Sequence, residues 1–298
     1  MLSGQQVQEF ERNGFINAGK ALSLREVDEL GAELDRVLDI GPDGFAPGEP
    51  QPVSFRDMGD RSGGVSEHPV WQIVNIWEAS DAFRRLLSHP FLVKGVSQLT
   101  GHPDLMVWHD QIQYKPASSG GSTKWHQDAP LWPIIKPMTP VSAWVPLDDA
   151  DEENGCMWMV PGSFRWGNQI DFLRTQHGLT QLGEFGDLEG FTPPAGAEVS
   201  EVRPRPLPVM RGEVSFHHSL NWHGSPFNRS PRPRRAIAIH YMTGDAVFDA
   251  SGQHLMKQFV EVADGGRMSA AGPHFPEVCR AGEPVPVTAP AAAGGGLK

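Results

Sequence analysis

Cysteine is scarce: the 298-residue chain has two, Cys156 and Cys279, with no Cys-x-x-Cys pair and no zinc-like spacing. That excludes a disulfide framework and a thiolate metal site, and both read as reduced thiols. Long apolar runs are missing too, and none approaches the roughly 20 residues that span a bilayer. Basic charge is in short supply. Lys and Arg number 25 against 36 Asp and Glu, a formal net charge of −11, which argues against nucleic acid or an anionic membrane as a partner. The opening MLSGQQVQEFERNG lacks the basic-then-apolar layout of a secretory signal. The expectation is a cytoplasmic protein that handles a small molecule; no feature of the sequence sets an oligomeric state.

What is abundant is turn chemistry. With 33 Gly and 27 Pro, a β-rich body fits better than a helical bundle, and the length allows a substantial core. The first forty residues nevertheless read as helical. Ser3 with Gln6, and Ser23 with Glu26, match capping boxes. Gly14 can end the first helix, and Val27, Leu30, Leu34, Val37 and Leu38 recur at helical spacing in the second. From Gly41 to Gly64 the chain reads as a long loop. WQIVNIW (71–77) is strand-like, Ser80 caps a helical stretch, and Pro90 opens another that runs to about Gly101.

From Asp104 the texture changes. LMVWHDQIQYK, MTPVSAWVPL, CMWMVPGS, GEVSFHHSL and RRAIAIHYM are short apolar or alternating segments split by turn residues, the pattern of a sandwich or closed barrel. An insertion over 167–208 has little strand character and suits a lid or substrate wall. The expected organisation is one domain over 1–283, with a helical N-terminal region (1–103), a β core (104–248) and a C-terminal extension (249–283). The end, 284–298, reads as a disordered tail.

Two stretches carry chemistry. In KWHQDAPLWP (124–133), His126 and Asp128 are two apart, so an extended segment would send both side chains from one face. In SFHHSLNWHGSPFNRSPRPRR (215–235), His217, His218 and His223 precede Arg229, Arg232, Arg234 and Arg235. Two histidines and one carboxylate form the facial triad of non-heme Fe(II) oxygenases, which leaves positions open for cosubstrate and O₂. Spacing alone leaves the third ligand undecided, because His218 lies eleven residues before Arg229 and His223 eleven before Arg234. Arg234 opens an alternating run in which Arg234, Ala236, Ala238 and His240 share one face. Small alanines beside a guanidinium leave room for a carboxylate cosubstrate. Arg229 sits among Asn, Ser and Pro in a turn and would point to solvent. Arg234 is therefore the better clamp and His223 the better ligand.

Other residues take blander readings. His217 and His218 must point to opposite faces, so one of them approaches the site. His109 and His240 read as hydrogen-bonded core histidines. Most of the nine tryptophans read as core; Trp132 and Trp222, which flank the two motifs, are candidates for substrate contact. The acidic run 148–154 mimics a calcium loop but places Gly155 one position late and Val160 where the last Glu belongs. It reads as a solvated turn.

Taken together, His126-Gln-Asp128, Trp144 eighteen residues after His126, Glu153-Asn-Gly-Cys-Met-Trp-Met-Val-Pro-Gly-Ser163, His223-Gly-Ser225 and Arg234 resemble the phytanoyl-CoA dioxygenase family. The N-terminal helices and His109-Asp-Gln-Ile-Gln-Tyr-Lys-Pro116 fit it too, over roughly residues 3 to 245. The resemblance implies a double-stranded β-helix (jelly roll, cupin-like) over 104–248 with the N-terminal helices packed on it, and Fe(II), 2-oxoglutarate and O₂ as reactants. It carries over His126, Asp128 and His223 as iron ligands, and Arg234 as the grip on 2-oxoglutarate. Ser225 matches a hydroxyl position beside that carboxylate, and Gln111 and Trp144 match positions lining the cosubstrate pocket. Phe164 departs from the family's usual His after Pro-Gly-Ser, which implies altered packing. Asp128 stands where halogenating relatives lack a carboxylate, which points to oxygenation. The implied reaction is hydroxylation of an unactivated C–H bond with release of succinate and CO₂, desaturation and ring formation being open to the same oxidant. The Trp-rich surroundings of the motifs and the 167–208 insertion favour a small, partly apolar substrate. A jelly-roll isomerase, a ketoacid-independent dioxygenase and a non-catalytic metal-binding module are the competing readings.

Overall fold

The computed structural model describes residues 1–59, 67–118, 121–175, 188, 190–199 and 201–288. Both capping boxes form. α1 (Gly4–Asn13) starts at Ser3, whose hydroxyl accepts the Gln6 N–H while the Gln6 side chain accepts the Ser3 N–H. α2 (Leu24–Ile40) starts the same way at Ser23 and Glu26 and buries Val27, Leu30, Leu34 and Val37. Ser80 caps α3 (Asp81–Leu87), and α4 (Pro90–Thr100) stops at a left-handed Gly101. α5 (Ile170–Thr175) lies later in the chain.

The strands, in chain order, begin with β1 (Phe15–Lys20), β2 (Ser54–Asp57), β3 (Trp71–Val74), β4 (Leu105–Lys115) and β5 (Thr123–His126). They continue with β6 (Ile135–Lys136), β7 (Val141–Pro146), β8 (Met157–Met159), β9 (Arg205–Leu207) and β10 (Glu213–His218). The last five are β11 (His223–Ser225), β12 (Arg234–Thr243), β13 (Val247–Phe248), β14 (Glu277–Arg280) and β15 (Glu283–Pro284). Among the described residues, a nine-stranded antiparallel sheet runs β1-β10-β7-β12-β4-β14-β15, with β3 on β4 and β2 on β3. A four-stranded sheet runs β5-β11-β8-β9. The two pack as a jelly roll, as implied.

Strand alternation decides what each face of the large sheet does. The outward side of β12 (Ile237, Ile239, Tyr241) joins Leu30, Leu34, Phe83, Leu92 and Val96 in the main core under the N-terminal helices. Its inward side gives Ala236 and Ala238, which pack with Trp144 and with Met157 and Met159 of the small sheet. One sheet face is thus closed by helices, and the other is left for the space between sheets.

Four expectations need correction. The helical N-terminal region contains β1, which pairs with β10 at the sheet edge, because Gly14 turns the chain, Ile16 and Ala18 enter the main core, and Phe15 packs on the opposite face. The expected loop 41–64 contains β2, held by its hairpin with β3; residues 60–64 lie outside the described residues. The insertion 167–208 contains α5 and β9, the latter paired with β8; residues 176–187, 189 and 200 of it lie outside the described set. The expected tail starts too early, since Val285 donates its N–H to the Val278 carbonyl and Val287 packs on the core. Of 284–298, residues 289–298 lie outside the described residues. No helix among the described residues is long and apolar enough to cross a membrane.

Phe164 packs beside His218 and over Gly14. Gly14 has φ 79°, and a Cβ there would stand 2.5 Å from Phe164 Cδ1 and 2.6 Å from Asn221 Oδ1. Gly14→Ala combines left-handed strain with overpacking. It is expected to destabilise the fold by about 2 kcal/mol or more, read as a lower denaturation midpoint; unchanged stability would show that α1 and the Phe164 turn are not locked together.

Candidate metal centre

β11 lies between β5 and β8, with His223 opposite both His126 and Met159. Cross-strand pairing therefore sets two imidazoles side by side, with ring centroids 4.1 Å apart. Asp128 reaches them differently from the extended geometry expected. β5 ends at His126, and Asp128 has helical angles (φ −72°, ψ −56°) at the start of a 3₁₀ turn. The reason lies in Gln127 and Ser219. The wholly buried Gln127 donates its amide to the Gly167 and Leu220 carbonyls and accepts the Gln169 N–H. The N–H groups of Asp128 and Ala129 both donate to the Ser219 carbonyl. A turn rather than a pleat aims the carboxylate.

One ligand atom each from His126, Asp128 and His223 can be chosen so that all three lie within 4.8 Å of one another. Asp128 Oδ1 is 3.6 Å from His126 Nε2 and 3.5 Å from His223 Nε2. His126 Nδ1 lies 2.8 Å from the Lys124 carbonyl and His223 Nδ1 2.9 Å from the Asn221 carbonyl. A carbonyl only accepts, so both Nδ1 atoms carry a proton, and the two Nε2 atoms on the carboxylate side are the ones that would face a metal once they give up theirs. Two such imidazoles and one carboxylate suit a non-heme iron and leave the rest of its coordination shell open.

The other carboxylate oxygen is occupied. Asp128 Oδ2 is 3.0 Å from His217 Nε2 and accepts from the Ser142 hydroxyl at 3.3 Å; Ser142 in turn lies 2.7 Å from His240 Nδ1. Burial acts to raise the Asp128 carboxyl, but the charge of His223 and hydrogen bonds from His126, His217 and His223 outweigh it and hold the group well below the usual range. His217 is thus the neighbour that approaches the site. His218 faces away, accepts the Leu220 N–H and packs on Phe164.

Arg234 is 1 % exposed, and its Nε and Nη1 have no hydrogen-bond partner. Its guanidinium lies 5.6 Å from the centroid of the Trp144 ring, and burial pulls its pKa down to about 10. Arg229, by contrast, is exposed. An orphaned guanidinium is costly in a protein interior, so the site fits an incoming carboxylate. Gln111 and Trp144 flank Ala238 on β4 and β7, and Ser225 is buried on β11.

Trp132 packs 4.4 Å from the His240 ring and so borders the centre. Trp222 is placed differently from expectation. It is wholly buried among Trp166, Phe172 and Phe191, where a substrate could reach it only by displacing those rings. His109 and His240 are core histidines packed on one another. The acidic run is a turn organised by Asn154 and Asp151, with Arg232 paired to Asp151. Gln127, Ser142 and Lys115 escaped the sequence reading. A signal for Lys115 existed: His109, Gln111, Gln113 and Lys115 alternate along β4 as a polar inward face.

The family model for phytanoyl-CoA dioxygenase matches residues 10–236. Peroxisomal phytanoyl-CoA dioxygenase of Rattus norvegicus is 27 % identical, over 89 % of this chain and 76 % of the relative. Ectoine dioxygenase of Bordetella parapertussis is also 27 % identical, over 80 % and 75 %. Among solved structures, the α-ketoglutarate-dependent carbocyclase SnoK from nogalamycin biosynthesis superposes with a TM-score of 0.68 at 25 % identity, covering 93 % of this chain and 96 % of SnoK. The epimerase SnoN, at 22 % identity, shares the fold with a TM-score of 0.68, over 92 % of this chain and 97 % of SnoN.

Three wholly or partly buried histidines set an acid limit. Burial pushes His240 down to about 3, and His218 and His254 to about 4, from 6.5. Unfolded, these imidazoles take up protons below about pH 6.5, whereas folded they stay neutral until about 3 to 4, so stability is lost as pH falls through that window. Thermal melts are expected to fall steadily between pH 7 and pH 4.5; a flat profile would mean that these imidazoles are not held neutral by the fold.

Proposed function

This chain belongs to the phytanoyl-CoA dioxygenase family, a group of Fe(II)- and 2-oxoglutarate-dependent dioxygenases, and on that premise we propose that it hydroxylates an unactivated C–H bond of a small, partly apolar molecule. His126, Asp128 and His223 hold the iron, and Arg234 grips the far carboxylate of 2-oxoglutarate with Ser225 beside it and Gln111 and Trp144 along the pocket. The observation that carries this reading is the pairing of a three-donor cluster with a buried guanidinium whose Nε and Nη1 are unpartnered. Bound there, the iron supplies the oxidising chemistry that couples decarboxylation of 2-oxoglutarate to succinate and CO₂ with hydroxylation of substrate.

What the chain itself contributes is positioning. His217 and Ser142 hold Asp128 Oδ2 and leave Oδ1 toward the metal; the Lys124 and Asn221 carbonyls keep both ligand imidazoles in the metal-binding tautomer. Trp132, beside His240, is the aromatic surface proposed to meet substrate, while Trp222 backs the His223 strand. Relatives named for a CoA thioester and for ectoine show how wide the family's substrate range is. The acidic net charge favours a small molecule over a large polyanion here. Two buried free thiols support a cytoplasmic setting. An isomerase or a ketoacid-independent dioxygenase would leave Arg234 without an anion to bind.

The test is anaerobic. Fe(II) and 2-oxoglutarate together are expected to give a visible charge-transfer band, lost in His126→Ala, Asp128→Ala and His223→Ala but kept in His218→Ala. Arg234→Ala is expected to weaken 2-oxoglutarate by about thirtyfold or more. Loss of iron binding in His218→Ala but not in His223→Ala would overturn the ligand assignment. Substrate-triggered O₂ uptake across a metabolite panel then identifies the molecule oxidised.

A further inference from the structure

Arg234 does not sit alone. Its cross-strand partner on β4 is Lys115, itself 2 % exposed. Both side chains leave the inward face of the large sheet, so two basic groups share one interior space. The Lys115 amine donates to the carbonyls of Ser225 and Pro226, at 3.3 and 2.5 Å. Those carbonyls follow directly on the His223-Gly224-Ser225 strand. No carboxylate among the described residues pairs with either cation: Asp148 is engaged by Arg235. Burial, and then the charge of Arg234, hold the lysine well below its usual range. Two like charges buried side by side repel strongly, and an unpaired buried cation is unfavourable. An anion held beside both groups would relieve that repulsion and favour the charged form of the amine.

We propose that Lys115 is a second cation of the cosubstrate grip, one that selects ketoacids bearing a distal carboxylate and ties the Ser225–Pro226 segment to β4. This rests on the reading that the site binds 2-oxoglutarate. Arg234 offers the directional fork. Lys115 adds charge without a fork of its own and braces the backbone that carries Ser225. A ketoacid without the far carboxylate leaves both cations uncompensated, so the pair discriminates against it more sharply than Arg234 could alone.

Lys115→Met removes the charge at similar volume; Lys115→Gln removes the charge but can still donate to a carbonyl. With the iron-loaded protein kept anaerobic, affinities for 2-oxoglutarate and for 2-oxobutanoate are read from the charge-transfer band. The second acid has the same chelating end and no distal carboxylate. Both variants are expected to bind 2-oxoglutarate at least about tenfold more weakly and 2-oxobutanoate as the unmodified protein does. Unchanged 2-oxoglutarate affinity in Lys115→Gln would reduce Lys115 to a tether, and equal losses for both acids would reduce it to packing; either result overturns the proposal. Failure of the 2-oxoglutarate reading itself looks different: the unmodified protein would give no band with 2-oxoglutarate at all.

Discussion

A carboxylate deep in a protein stays ionised only when hydrogen bonds and positive charge replace the water it has lost. Asp128 meets that condition, and the site is organised around it. Its Oδ2 is held by His217 and Ser142, and its Oδ1 faces the Nε2 atoms of His126 and His223. Every one of these partners comes from a different segment: β5, β7, β10 and β11. The carboxylate is therefore a meeting point for both sheets, and its position depends on Gln127 and Ser219 pinning the turn that carries it.

The same economy shows along β12. The inward face of β12 holds one long charged residue, two alanines and one histidine (Arg234, Ala236, Ala238 and His240). The alanines are fully buried yet small, so the space between Arg234 and His240 is bounded by Trp144, Gln111 and Gln113 on neighbouring strands. The outward face of β12, with Ile237, Ile239 and Tyr241, anchors the strand in the main core. Alternation along one strand thus gives the outer face to the main core and the inner face to a smaller core beside the site.

Much of this was legible in the residues. The capping boxes at Ser3 and Ser23, the helix opened by Pro90, and the five β segments from Leu105 onward announce themselves by local chemistry, and each forms close to where its pattern begins and ends. Strand alternation favours Arg234 and a Pro-rich turn disfavours Arg229, and the two side chains are buried and exposed accordingly. What escaped notice was held by distant partners. β1 and β2 are short strands that exist because β10 and β3 lie beside them. Trp222 follows its neighbours into an aromatic cluster built partly from the insertion.

The residues themselves determined which groups could bind a metal or a carboxylate: imidazoles, a carboxylate and a guanidinium in segments of known periodicity, because donor chemistry and strand alternation are local properties. Only the tertiary structure decided which lone pairs converge, that Asp128 arrives by a turn instead of a pleat, and that Lys115 shares the interior with Arg234. Those outcomes depend on cross-strand register and on the buried bonds of Gln127, Ser142 and His217, and such bonds between residues 14 to 98 positions apart come into being only when the sheets close.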